Sequence, residues 1–228
     1  MQNLKSISLT KYIIFTVCVF ILSVCDVYSQ SVEEFLEALP KEYFNNLTSK
    51  DRDKLLSENK FYPEDNDENY IQVYRVVEST NDYMKATMSF ETGQRGFNTF
   101  ELKRWNLNAG DYLFGISRVA GTPVEFVQAD INFFIFDNDS LKKVLTKIPT
   151  DLGLDDFTKQ NTPDKLIQEY SQYISLSITF EKEGNDIYWR VHENMGVNDL
   201  DNSWLKGNAI RYSWDGEDFK KTEIFQYP

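Results

Sequence analysis

Few residues in this chain have the chemistry of a catalytic group. His192, in the stretch YWRVHEN, is the sole histidine among 228 residues, and Cys18 and Cys25 are the only cysteines. A hydrolase of the Ser-His-Asp kind would have to pass its proton through His192. No G-x-S-x-G elbow accompanies it, and its place on a strand predicts an outward-facing histidine without a role. One histidine with no cysteine after residue 25 does not make an ordinary zinc site. No glycine-rich phosphate loop is present either, so the sequence implies no metal and no cofactor.

Carboxylates are plentiful but poorly arranged for calcium. DNDENY places Asp65, Asp67 and Asn69 at alternate positions, as an EF-hand loop begins, yet Tyr70 stands at the glycine position and Val76 at the bidentate glutamate position. VNDLDNSW offers Asn198, Asp199, Asp201 and Asn202 without completing a ligand set. Turn chemistry accounts for both stretches. Hydrolysis by a pair of carboxylates needs only two acids at the right separation, so it stays open as an alternative that no spacing identifies.

Surfaces give the better leads. In ISLSITF and IYWRVHE the apolar residues alternate with polar ones, which predicts a wet sheet face carrying Ser175, Ser177, Thr179, Tyr188, Arg190 and His192. Arg211 and Ser213 extend that face. With Phe100 and Leu102 turned inward, Trp105 is expected on the polar side of its own strand. Tyr, Trp and Arg among small hydroxyl residues have the composition of a recognition surface; the plainer alternative is a solvated face with cross-strand aromatic pairs. Trp204, in the long connection NMGVNDLDNSWLKGN, is either a lid on the core or a ligand platform.

The elements that must position these residues begin after a leader. Lys5 and Lys11 precede an apolar run from Tyr12 to Val24, too short to span a bilayer comfortably. Residues 1–29 therefore read as a secretory signal, with cleavage after Ser29 and Val27 and Ser29 at the positions the peptidase reads. The alternative takes Leu22 to Cys25 as a degenerate lipobox with Cys25 lipidated, which would anchor the protein at the cell envelope. Secreted or periplasmic protein is thus the expectation, with a membrane partner only through Cys25.

The chain has 24 basic and 36 acidic residues, net −12; without Lys5, Lys11 and Asp26 the balance is 22 against 35, or −13. Phosphate backbones would repel such a chain, so nucleic acid is excluded as a partner. The part after the leader has no disulfide and must rest on its core, for which 15% aromatic residues are ample.

Ser31 and Glu34 have capping-box spacing before Phe35, Leu36 and Leu39, and a second short helix is expected from Ser49 or Lys50. From Tyr70 the period becomes two. Hairpins are expected in YIQVYRVVE with YMKATMSF, in FNTFELKRW with DYLFGISRV, and in INFFIF with LKKVLTKI, with AGTPVEFVQA read as a loop. Thr162 and Pro163 start another helix with the stripe Leu166, Ile167 and Tyr170. ISLSITF, IYWRVHE and a last hairpin with an Asp-Gly turn follow.

Phe136, Asp137, Leu141, Lys142 and Lys143 match Trp214, Asp215, Phe219, Lys220 and Lys221 at one offset. This echo predicts an α+β protein built as a tandem repeat of short helices followed by an antiparallel four-stranded sheet, with one continuous sheet as a variant. The first half, 30–149, would carry an extra hairpin, and 150–228 would be the second half.

The ending Trp-Asp-Gly-acidic-x-Phe-Lys-Lys, and KRWNLNAGDYLFGISRV before INFFIF, resemble small exported proteins of Bacteroidetes-type bacteria, a group that brings no activity to carry over. In outline the tandem arrangement is similar to the β-lactamase-inhibitory proteins, whose disulfides and contact residues have no counterpart here, and fold does not fix function. The expected role is non-catalytic binding of an extracellular or envelope protein or glycan through Trp105, Tyr188, Arg190, His192, Trp204 and Arg211. A carboxylate-dependent hydrolase of polysaccharide or peptidoglycan, and a structural envelope protein, are the alternatives.

Overall fold

A computed structural model describes residues 30–64, 69–92, 96–122, 124–138, 140–149, 152–193 and 203–227. The leader with Cys25, the Asp65–Asp67 stretch and Asn198–Asn202 lie outside the described residues, as do the readings made of them. Among the described residues no helix is long and apolar enough to cross a membrane.

Helix α1 (Val32–Ala38) starts on the expected box: Glu34 N–H donates to Ser31 Oγ and Ser31 N–H to the Glu34 carboxylate. Helix α2 (Ser49–Glu58) uses Thr48 and Asp51 in the same reciprocal way and stops at Asn59, whose φ of 57° ends the helix in the left-handed region. Seven antiparallel strands then meander in sequence order: β1 (Lys60–Phe61), β2 (Gln72–Ser79), β3 (Tyr83–Phe90), β4 (Phe97–Asn106), β5 (Tyr112–Gly121), β6 (Phe126–Asp137) and β7 (Ser140–Val144). Helix α3 (Asp164–Ser171) leads to a second antiparallel sheet of β8 (Ile174–Phe180), β9 (Asp186–Glu193), β10 (Ala209–Trp214) and β11 (Phe219–Phe225), with β8 at its edge.

The first sheet buries both faces. One face, with Met84, Ala86, Phe100, Leu102 and Phe114, meets Phe35, Leu36 and Leu55 of the helices. The other, with Tyr83, Trp105, Leu113 and Phe133, meets Ile178, Phe180, Trp189, Ile210 and Phe219 of the second sheet. The order of layers is helices, seven-stranded sheet, four-stranded sheet, and Ser31–Pro228 form one compact unit.

The architecture is mixed α+β, mostly β, but the helices are not a tandem repeat and the strands do not form one continuous sheet. Two α-helices precede the first sheet and one precedes the second. The echo survives at hairpin level: Phe136 pairs with Leu141 and Phe134 with Lys143, as Trp214 pairs with Phe219 and Tyr212 with Lys221.

The second sheet stands with its β8 edge on the first sheet's face, and that edge is hydrogen-bonded by side chains. Ile178 N–H donates to Gln128 Oε1 at 2.7 Å, Phe180 N–H to Glu101 Oε2 at 2.8 Å, and Ser117 Oγ donates to Ile178 O at 3.2 Å. Lys103 Nζ donates to Lys182 O just beyond the strand, at 2.8 Å. Gln128 reaches this face because the β5–β6 register shifts between Arg118 and Val119, so Arg118 opposes Asp130 while Val119 opposes Gln128. The bulge reverses which side of β6 faces the second sheet. The same bulge explains why VEFVQA, read as loop, is strand: its alternation is out of phase with INFFIF.

Replacing Gln128 by Ala leaves the Ile178 N–H buried without an acceptor, a cost of about 1–3 kcal/mol. Thermal unfolding should show a Tm lower by roughly 2–4 °C per kcal/mol for a chain of this size. An unchanged Tm would mean the edge is not held by Gln128.

Candidate functional site

The second sheet covers only part of the first sheet's face, and a cleft of about 200 Å³ opens where coverage ends. Alternation on β3, β4 and β5 sends Lys85, Phe97, Thr99, Glu101, Ser117 and Val119 to this side, and the bulged start of β6 adds Phe126. The polar side of β8 and β9 supplies the facing wall: Ser177, Thr179, Arg190 and His192.

Glu101 is the one carboxylate among the described residues of this cleft, and both its oxygens are engaged. One pairs with Lys85 Nζ at 3.1 Å and the other accepts the Phe180 N–H. It therefore works as a structural anion. A two-carboxylate hydrolysis would need a second acid beside it.

His192 is half-buried, with its ring edge-on to Phe126 at 5.2 Å between centroids and Nε2 2.8 Å from Ser177 Oγ. Burial, with the Arg190 charge added, pushes its pKa down to about 4. The imidazole is neutral at neutral pH.

Arg190 lies flat over the Tyr227 ring, with its guanidinium carbon 3.9 Å from the centroid. Its Nε is buried and has no hydrogen-bond acceptor. Tyr227 is held in turn by Asn208, which accepts from the Tyr227 N–H and donates to its carbonyl. The cation is thus stacked on a fixed ring, with no carboxylate paired to it among the described residues.

The other four expected contact residues divide. Tyr188 is on the expected side but only 4% exposed, covered by Phe225 and Tyr227 at 5.8 and 5.4 Å between centroids. Its hydroxyl donates to Glu181, and burial pushes its pKa up to about 12. Arg211 stacks over Phe225 at 4.9 Å and pairs with Glu223 at 2.6 Å; Asp186 stands at 3.3 Å, off the hydrogen-bond line. These two residues form a covered patch beside the cleft, because the C-terminal segment folds across what was expected to be open face.

Trp105 contradicts its expected position. It is 1% exposed, edge-on to Phe180 and Phe219, and its indole N–H donates to Asn185 O at 3.1 Å. The side opposite Phe100 and Leu102 is covered by the second sheet, so Trp105 is core. It lies over Gly115, where a Cβ would meet the indole at 2.8 Å. Trp204 is half-buried against Tyr170 at 5.2 Å and lines a separate cavity of about 240 Å³ with Leu154, Ile174, Val191 and Leu205, on the apolar side of the second sheet. Of the six, only Arg190 and His192 line this cleft.

Sequence reasoning missed Lys85, Thr99, Glu101 and Phe126. A signal for one of them stood in FELKRW: Glu101, Lys103 and Trp105 share one side of a strand whose other side is apolar, which marks a strand with work on both faces. Among the described residues no group of three His, Cys, Asp or Glu side chains is arranged to hold a metal ion.

No protein-family profile and no curated protein matches the chain. A solved structure does. The domain of an uncharacterized protein from Porphyromonas gingivalis W83 aligns with a TM-score of 0.55, covering 84% of this chain and 97% of that one at 11% identity. At that identity the likeness shows the fold alone. It agrees with the Bacteroidetes-type resemblance at that coarse level and does not bear on the β-lactamase-inhibitory outline.

The neutral histidine gives a pH test. Lys85, Arg190 and Glu101 are the charged groups sharing its cleft. Its folded pKa of about 4 lies below the ordinary 6.5, so unfolded chain takes up the proton first and stability should fall as pH drops from about 6.5 towards about 4. As the sole histidine, its imidazole NMR signals need no further assignment, and a titration midpoint near 6.5 would refute the buried, Arg190-facing placement.

Proposed function

We propose that this is an exported, non-catalytic binding protein, and that it recognises an extracellular or envelope protein or glycan at the cleft between its sheets. Export rests on the character of residues 1–29. The observation that carries the site is Arg190, a guanidinium stacked on Tyr227 and paired with no carboxylate among the described residues, in a concave site beside a neutral histidine and the hydroxyls of Thr99, Ser177 and Thr179. A half-buried cation without a counter-ion is unfavourable, and an anionic ligand group would supply one. Rigid placement on an aromatic ring also reduces the ordering entropy that binding would otherwise lose.

The geometry supports binding over hydrolysis because Glu101, the cleft's carboxylate, is committed to Lys85 and to the β8 edge. On this reading recognition lies not on the open face expected on β9 and β10 but at the corner where that face meets the first sheet.

Capture of partners from envelope and culture fractions, read by mass spectrometry and sugar analysis, tests this. Arg190→Gln should lose retained partner while losing only the stacking contribution to stability, about 0.5–2 kcal/mol. Trp204→Phe should retain it. Capture that depends on Trp204 and not on Arg190 would move the site to the other side of the sheet, and the absence of any saturable partner would refute the binding reading.

A further inference from the structure

We infer that the cleft recognises the carboxylate of an acidic sugar residue, such as a terminal uronic acid, with Arg190 as the carboxylate-binding group. This rests on the binding reading above and specifies its ligand. Three properties of the cleft select that chemistry.

The first is charge. Lys85 and Glu101 neutralise one another at 3.1 Å, and His192 is neutral, so among the described residues the cleft holds one uncompensated cation, Arg190. One cation complements a monoanion. A phosphate monoester carries nearly two negative charges at neutral pH and would leave one unmatched in a protein whose net charge is already −12. A guanidinium also matches a carboxylate edge-on with two parallel N–H donors, which a lysine ammonium does not.

The second is size. At about 200 Å³ the cleft is below the roughly 300–1,000 Å³ of ordinary ligand pockets, so it suits a single ring and not an extended oligomer. The third is the rest of the lining. Thr99, Ser177 and Thr179 present hydroxyls, while Phe97 and Phe126, 6.1 Å apart between centroids, present ring surface. Hydroxyl groups beside aromatic carbon match a sugar ring, whose hydroxyls radiate from an apolar face of C–H bonds. A peptide C-terminus offers the carboxylate but not the ring of hydroxyls.

Calorimetry of the purified protein with glucuronate, glucose, glucose phosphate and a tripeptide with a free C-terminus tests the inference, with His192 NMR as a second readout. Glucuronate should bind; glucose and glucose phosphate should bind at least about tenfold more weakly, because they lack a single carboxylate for the fork. Bound carboxylate should raise the His192 pKa from about 4. Arg190→Gln should abolish glucuronate binding and Arg190→Lys should weaken it about tenfold, since lysine keeps the charge without the fork. Should Arg190→Gln fail to fold, the lysine variant and the His192 shift decide. Equal binding of glucose, binding unaffected by Arg190, or binding of the tripeptide alone would overturn the acidic-sugar assignment. If glucuronate fails while capture still yields an Arg190-dependent partner, the assignment is overturned and the binding reading stands; if both fail, both are overturned.

Discussion

An edge strand that stops against the face of another sheet leaves a row of N–H and C=O groups with no strand to pair with and no water to replace it. The structure depends on how β8 meets that constraint. Gln128, Ser117 and Glu101, all from the first sheet, bond the backbone of Ile178 and Phe180. Gln128 Nε2 also donates to Ser117 Oγ and Asp130 O, so the cap is a connected network and not a set of isolated contacts. The docking fixes how far the second sheet covers the first. Trp105 and Phe133 fall inside the covered part, against Phe180 of β8, and Lys85, Thr99 and Phe126 line the cleft where it ends.

The character of the cleft follows from the same arrangement. Glu101 is buried, and a buried carboxylate is tolerated only when its oxygens are satisfied, which the Phe180 N–H and Lys85 together achieve. That consumes the site's negative charge. Arg190 is left as the local cation in an acidic protein, held in place by Tyr227 and so by Asn208. Structural needs at one end of the cleft thus determine the sign of the charge left unpaired at the other.

Local features were legible in the sequence. Capping residues Ser31 and Glu34, the strand limits of YMKATMSF and ISLSITF, and the inward set Ile187, Trp189 and Val191 follow from short-range spacing, and the structure agrees. The matching registers of the two echoing hairpins were legible for the same reason. What failed depends on partners far away in sequence. Trp105 was assigned to solvent because one apolar face was visible on β4 and nothing nearby announces the sheet that covers the other. Tyr188 was assigned to an open face that Phe225 and Tyr227 in fact cover. Arg190 and His192 could be named as candidates, but Lys85 and Glu101, about a hundred residues earlier, join them only through the β8 docking.

Amide hydrogen exchange at Ile178 and Phe180 tests the account most directly. The side-chain cap predicts that both amides exchange as slowly as the central amides of β9, through global unfolding only. Fast exchange, of the kind expected from an uncovered edge, would contradict the docking on which both the buried Trp105 and the cleft depend.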